Sequence, residues 1–328
     1  MIITKTPLRI SLCGGATDLP EFYLKHGGAV VSFAINKYIY ISVNPKFDGG
    51  IRASYSITEN VETAQQLKHD IIAMSLIEYG INSIEVVSIS DIPGQGSGLG
   101  SSSSFAVGLD VALRKYNGIS LNHHPSTFAE SAYRTERELC EHPVGKQDHY
   151  AAAYGGLRFY LFNKDDTVIV NPIYLRTDKL FHLESNLLLF WTGATRHADR
   201  ILTDQGNRLR EDPAVGNFAI QMKYNAISLF NSLNHNDISE VGEFLHANWM
   251  LKKELALGIS TKVIDDYYFK AMEAGASGGK LCGAGGSGFL LFYAEKNKHS
   301  DIEKALGLRR VMFKIANEGS KVIYEDTP

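Results

Sequence analysis

Residues 93–104 read PGQGSGLGSSSS, with an apolar, β-branched run IEVVSIS at 84–90 before them and FAVGLDVALRKY at 105–116 after them. That order of strand, glycine-rich loop and helix constrains the fold more than any other feature of the chain. The glycines Gly94, Gly96, Gly98 and Gly100 carry no Cβ, so backbone N–H groups can converge on one point. A helix opening near Ser101 adds its unpaired N–H groups and the positive end of its dipole. Such a loop cradles anions, and a triphosphate is its natural guest. A flexible Gly/Ser linker is the alternative for this composition, and the apolar elements on both sides weigh against it. Two other nucleotide signatures fail. No G-x-x-x-x-G-K-[ST] occurs; Gly279-Lys280, for one, is followed by Leu281. GAGGSG at 283–288 fits G-x-G-x-x-G but runs into the strand-like FLLFY rather than a helix.

At 328 residues the chain exceeds what one core usually fills, so two domains are expected, 1–180 and 181–328, divided near polar NPIYLRTDKL. With 44% hydrophobic and 21% charged residues, little of it is left for disordered tracts. The net charge of -3 and scattered basic residues argue against a nucleic-acid partner. Three widely spaced cysteines, Cys13, Cys140 and Cys282, fit neither a disulfide framework nor zinc motifs. MIITKTPLRISLCGG lacks a signal-type apolar stretch, and no run of about 18 apolar residues occurs. A soluble, cytoplasmic protein without a membrane partner is the expectation.

Hydrophobic periodicity predicts strands at 2–13, 28–46, 84–90, 156–162 and 185–191, and helices at 62–79, after the glycine loop, at 124–141 and in Ala-rich QDHYAAAY. Residues 197–274 are predominantly helical in pattern. Strands at 279–282, 287–293, 309–314 and 321–325 around a helix near 297–306 complete an α+β pattern.

Three separated segments, PLRISLCGGATDLPEFY at 7–23, PGQGSGLGSSSSF at 93–105 and LCGAGGSGFLLFY at 281–293, together resemble the three motifs of the GHMP kinases, the galactokinase, homoserine kinase and mevalonate kinase superfamily. Within it the chain looks most like bacterial D-glycero-D-manno-heptose 7-phosphate kinases, through TPLRISLCGGATDLPEF, EVVSISDIPGQGSGLGSSSSF, VGKQDHYAAAYGG and WTGATRHA. The resemblance implies an N-terminal domain similar to ribosomal protein S5 domain 2, a ferredoxin-like C-terminal domain and a site between them. It also implies ATP and Mg²⁺, with phosphate transfer to the anomeric hydroxyl of the heptose phosphate, by a monomer or homodimer. A fucose- or galactose-type sugar 1-kinase and a catalytically silent sugar- and nucleotide-binding regulator stay open beside this reading.

Residue by residue, the motifs put Asp148 at the catalytic aspartate, where it could take the acceptor proton, and Arg9 beside the acceptor, where a fixed positive charge stabilises a developing alkoxide. The alternatives are a helix N-terminal Asp and a surface strand arginine. Pro93, Gly94, Gly96, Gly98, Leu99, Gly100, Ser101, Ser102 and Ser103 match the nucleotide loop. Ser102 and Glu136 match the magnesium ligands, with Glu138 a rival because Glu136 stands 12 residues before Asp148. Asp18 matches a sugar-hydroxyl ligand or serves as a helix N-cap, within a segment that includes Gly14, Gly15 and Thr17. Gly283, Gly285 and Gly286 match the third motif's approach to phosphates. A substrate phosphate needs further cations, and Arg52, Lys146, Arg196 and Arg200 are the candidates. His142, His149, His123 and His124 lack ligand spacing and are expected in surface or core roles.

Overall fold

The computed structural model describes residues 1–93, 96–195 and 199–326. Two long strands start the chain, β1 (Ile2–Cys13) and β2 (Gly28–Asn44), joined across α1 (Pro20–His26). They pair antiparallel over nearly their whole length, from Ile2↔Val43 to Cys13↔Val31. Next come β3 (Gly50–Ser54), β4 (Thr58–Val61), α2 (Asp70–Tyr79) and β5 (Ser83–Ser90). The glycine loop leads into α3 (Ser101–Tyr116), followed by α4 (Pro125–Arg134), α5 (Gln147–Tyr154), β6 (Leu157–Phe162) and β7 (Val168–Pro172). β2 is long enough to serve two neighbours, with Gly28–Phe33 on β6 and Ile39–Asn44 on β5. The result is an eight-stranded sheet in which the last strand of the chain, β12 (Lys321–Glu325), and β1-β2-β5-β3-β4 run in order and β6-β7 branch from β2.

The second unit holds α6 (Thr177–Asn186), β8 (Leu187–Trp191), α7 (Asp199–Glu211), α8 (Pro213–Asn234), α9 (Val241–Lys253) and α10 (Lys262–Glu273). It continues with β9 (Gly278–Leu281), β10 (Phe289–Tyr293), α11 (His299–Leu306) and β11 (Arg309–Val311). Its four strands lie antiparallel in the order β11-β8-β10-β9, which is the 4-1-3-2 order of a ferredoxin-like βαββαβ unit. The alternation expected of the α+β pattern is thus present in both units.

Four local readings need correction. The helix expected over 62–79 begins only at Asp70. Before it the chain forms only a short 3-10 turn, Ala64–Gln66, capped by Thr63 and Gln66, after which Glu59 Oε2 accepts from Lys68 N–H and ends the turn. The helix expected over 124–141 passes at Thr135 into a π-helical turn, Thr135–Leu139, a distortion frequent at functional sites. β3, β4, β7 and α6 had not been expected at all. Finally, β12 (Lys321–Glu325) does not stay with the second unit, as a 181–328 division implies, but pairs with β1 through Ile2↔Glu325 and Lys5↔Lys321. An Ile35↔Ile315 bridge guides the chain back.

The cores interlock. Leu189, Leu229, Phe289 and Leu291 of the second unit join the core beneath the large sheet, while Leu19 and Phe22 of α1 and its approach join the core around Trp249, Phe190 and Phe292. This shared burial fixes the seam where the cleft opens. Among the described residues no helix is long and apolar enough to cross a membrane.

Candidate active site

A cleft of about 810 Å³ runs along the seam between the two units. At its centre Arg9, on β1, grips Asp148 in the first turn of α5: Nε donates to Oδ1 at 2.6 Å and Nη2 to Oδ2 at 2.5 Å. Nη1 donates to Gly98 O at 2.7 Å, so one guanidinium joins the glycine loop to the aspartate. A carboxylate has about four lone-pair sites, and the fork occupies two, leaving capacity on a side chain 21% exposed to the cleft.

The glycine loop meets the third motif through bare backbone. A Cβ on Gly98 would stand 2.4 Å from Cys282 O, and one on Gly283 would stand 2.3 Å from Gly98 Cα. Both residues have positive φ, 78° and 75°. The two motifs are therefore complementary surfaces as well as ligand-facing loops. Gly100, at φ 74° in the left-handed region, turns the loop into α3.

Ser102 and Ser103, in that first turn, donate to the two oxygens of Glu136, the latter at 2.8 Å. Glu136 projects from the π-helical turn and is fully buried. His149 Nε2 lies 2.7 Å and His142 Nδ1 3.8 Å from its oxygens. Burial alone would raise this carboxyl, but its histidine and serine partners prevail and hold it well below the usual carboxylate range. His142 also contacts Asp70 at 2.7 Å, and that bond, with Glu136, pushes its pKa up to about 10. The histidines expected in surface or core roles thus brace the acidic residue. Glu138 is exposed and does not line the cleft.

The other half of the cleft is polar and assembled from distant segments. Asp18 is buried and accepts from Ala16 N, Gln147 N and Gln147 Nε2 at 3.0 to 3.2 Å. Burial, then the nearby Asp148 charge, raises its pKa. In the same cleft Ser11 Oγ, Gln147 Oε1 and Gln205 Nε2 are buried without hydrogen-bond partners among the described residues. Lys252 of α9 and Lys280 of β9 enter from the second unit. At the opposite end Ile39, Ile92, Tyr55, His69 and Phe105 form an apolar and aromatic wall, with the His69 ring 4.7 Å from Tyr55 and 4.9 Å from Phe105.

Of the residues singled out in the sequence, Arg9, Gly15, Asp18, Pro93, Gly96, Gly98, Gly100, Ser101, Ser102, Ser103, Glu136, Asp148 and Gly283 line this cleft. Others stand behind it. Leu99 is buried and its carbonyl accepts from Arg9 N. Gly14 N donates to Asn248, and Thr17 Oγ1 bonds both Ala29 backbone groups. Gly285 and Gly286 pack on Ile259. Two phosphate candidates are committed elsewhere. Lys146 is buried 3.1 Å from Glu130 and 3.0 Å from Asp166, and Arg52 lies 3.4 Å from Glu85 on the sheet face. Arg200 is exposed on α7 and does not line the cleft. Gly94 and Arg196 lie outside the described residues. Reading by motif missed Lys252, Gln205 and Asp70, which no local pattern marks. Ser11, Gln147 and Lys280 stood inside or beside quoted motifs without an assigned role.

A glycine-rich loop opening a helix, a cation-clamped aspartate and a polar wall in one interdomain cleft suit phosphoryl transfer to a small molecule. Comparison with known proteins carries this further. Residues 62–156 match the GHMP kinases N terminal domain and residues 229–310 the GHMP kinases C terminal domain. D-glycero-alpha-D-manno-heptose 7-phosphate kinase of Campylobacter jejuni is 30% identical over 318 residues, covering 93% of each chain. The galactokinase of Pyrococcus furiosus is 26% identical, covering 96% of this chain and 95% of its own. A crystal structure of a D-glycero-D-manno-heptose 1-phosphate kinase from Bacteroides thetaiotaomicron superposes with a TM-score of 0.79 at 25% identity, over 100% of both chains. The chain belongs to the GHMP kinases and is an ATP-dependent carbohydrate kinase.

Proposed function

We propose that this kinase transfers the γ-phosphate of ATP to the anomeric hydroxyl of D-glycero-D-manno-heptose 7-phosphate, giving the 1,7-bisphosphate for nucleotide-activated heptose synthesis. The observation that carries the reading is the Arg9–Asp148 fork, which faces an acceptor wall of buried, unpartnered polar atoms. The similarity to the heptose 7-phosphate kinase of Campylobacter jejuni supports this sugar.

In this reading the triphosphate lies along Gly96–Ser103, on converging N–H groups and the α3 N-terminus. Asp148 accepts the hydroxyl proton while Arg9 steadies the oxyanion that forms, and both sit in a partly closed cleft where such charges act strongly. Asp18 and Gln147 orient the sugar hydroxyls. Mg²⁺ fits the hydroxyl of Ser102 and the ionised Glu136, both hard oxygen donors at the foot of the phosphate cradle. When bound it neutralises charge on the donor phosphates. The same reading puts the enzyme in the cytoplasm, as a monomer or homodimer, and the free thiols of Cys13, Cys140 and Cys282 suit a reducing setting.

The test is phosphate transfer from ATP and Mg²⁺ across a panel of sugars and sugar phosphates, with product position read by NMR. Anomeric phosphorylation of the heptose 7-phosphate alone is expected. Preference for free galactose or fucose would replace the substrate, and absence of transfer to any acceptor would favour a binding regulator.

A further inference from the structure

Two lysines enter the acceptor half of the cleft, and they are bonded differently. Lys280 Nζ donates to Ser11 O at 2.8 Å and Leu12 O at 3.3 Å, which ties its ammonium to the β1 backbone. Lys252 Nζ, also buried, donates among the described residues to one protein oxygen, Gly283 O at 2.5 Å. An ammonium carries three donors and no acceptor, and a buried cation short of partners is costly. Lys252 therefore keeps two donors for whatever occupies the cleft it lines.

The surrounding charge is unbalanced. The ionisable groups facing Lys252 are Lys280 on β9, Arg9 on β1, Asp18 after β1 and the Cys282 thiol. Arg9 is matched by Asp148, so two ammonium groups stand against Asp18, a carboxyl that burial pushes toward neutrality. The spare positive charge lies beside the reacting centre, because Gly283 is stacked on Gly98, and Gly98 O accepts from Arg9.

We propose that Lys252 binds the phosphoryl group in flight, donating to one of its non-bridging oxygens. This inference rests on the sugar-kinase reading above. In the step, a bond forms between the acceptor oxygen and phosphorus. The bond from phosphorus to the donor's bridging oxygen breaks, and its electron pair leaves on the diphosphate. The acceptor proton passes to Asp148, and Lys252 keeps its own proton throughout. The role requires an ammonium, and burial, with the charges of Lys280 and Arg9 second, lowers the Lys252 pKa to about 7.

The experiment is steady-state kinetics of the wild type, Lys252→Met and Lys252→Arg from pH 6 to 9, with ATP, Mg²⁺ and the acceptor the wild type uses. Lys252→Met is expected to lower kcat by about 10²-fold, the loss typical of one transition-state donor, with the acceptor KM little changed. Lys252→Arg is expected to recover part of kcat and to move the alkaline limb of the kcat profile upward, since a guanidinium keeps its proton. Melting curves and ATP binding check that the variants fold; if Lys252→Met does not, the arginine variant's pH profile decides. An unchanged kcat in Lys252→Met, or an alkaline limb identical in wild type and Lys252→Arg, would overturn the proposal. A defect confined to the KM of a phosphorylated acceptor would also overturn it, by assigning Lys252 to the substrate's own phosphate. Wild type inactive on every acceptor would refute the sugar-kinase reading itself and this inference with it.

Discussion

The glycine-loop half of the cleft and the half around Asp18, proposed here to hold nucleotide and acceptor, are made of different material. The first is one contiguous loop, Gly96–Ser103, rich in backbone N–H groups and serine hydroxyls and backed by Glu136 and two histidines. The second is an assembly of side chains from the β1–α1 turn, α5, α7, α9 and β9, represented by Asp18, Gln147, Gln205, Lys252 and Lys280. A backbone cradle suits a donor common to many kinases, because it recognises phosphate whatever the acceptor. An assembled wall can change one side chain at a time, which suits selection among sugars. Arg9, bonded to both Gly98 and Asp148, is where the halves meet.

The sharpest way to break this picture is at the shared centre. Asp148→Asn is expected to lower kcat by about 10³-fold, within the range for loss of a positioned acid or base, while calorimetry shows both substrates still bound. Gly98→Ala strikes the seam between the motifs. The added Cβ would lie 2.4 Å from Cys282 O at a backbone with φ 78°, so a loss of about 10²-fold in kcat/KM for both substrates is expected. Effects limited to one substrate would separate the halves more than the packing suggests.

Gln205→Ala should touch one half alone. Its Nε2 is buried and without a partner among the described residues in the proposed acceptor wall, so the acceptor KM is expected to rise about tenfold, the worth of a strong hydrogen bond, while the ATP KM stays put. An effect on ATP instead would contradict the division. The smallest effect is expected from His142→Ala. The folded pKa of His142 is raised from 6.5 to about 10 by Asp70 and Glu136. Its contribution to stability is thus fully present below about pH 6.5 and fades as pH rises through about 10. Melting temperatures of wild type and His142→Ala should differ most near pH 6 and converge above pH 10, and a gap that widens with pH would reverse the assignment.

The same contrast explains what the sequence could reveal. That the glycine loop lines the cleft was legible because its residues lie in one stretch, and that Arg9, Asp18 and Asp148 line it because each sits inside a motif. Lys252 and Gln205 were not, since a lysine or glutamine on an amphipathic helix looks like any solvated residue until the second unit folds over the first. Charge without geometry misled at Lys146, whose partners Glu130 and Asp166 lie 16 and 20 residues away. The return of β12 to β1 was hidden for a similar reason, because periodicity marks a strand but not the sheet that receives it.

The most direct test of the central claim is a crystal structure with a non-hydrolysable ATP analogue, Mg²⁺ and heptose 7-phosphate. The expected result has the triphosphate on Gly96–Ser103 and the anomeric oxygen of the sugar within about 3 Å of an Asp148 oxygen. A sugar bound away from the Asp18 and Gln147 wall, with no hydroxyl within reach of Asp148, would contradict it.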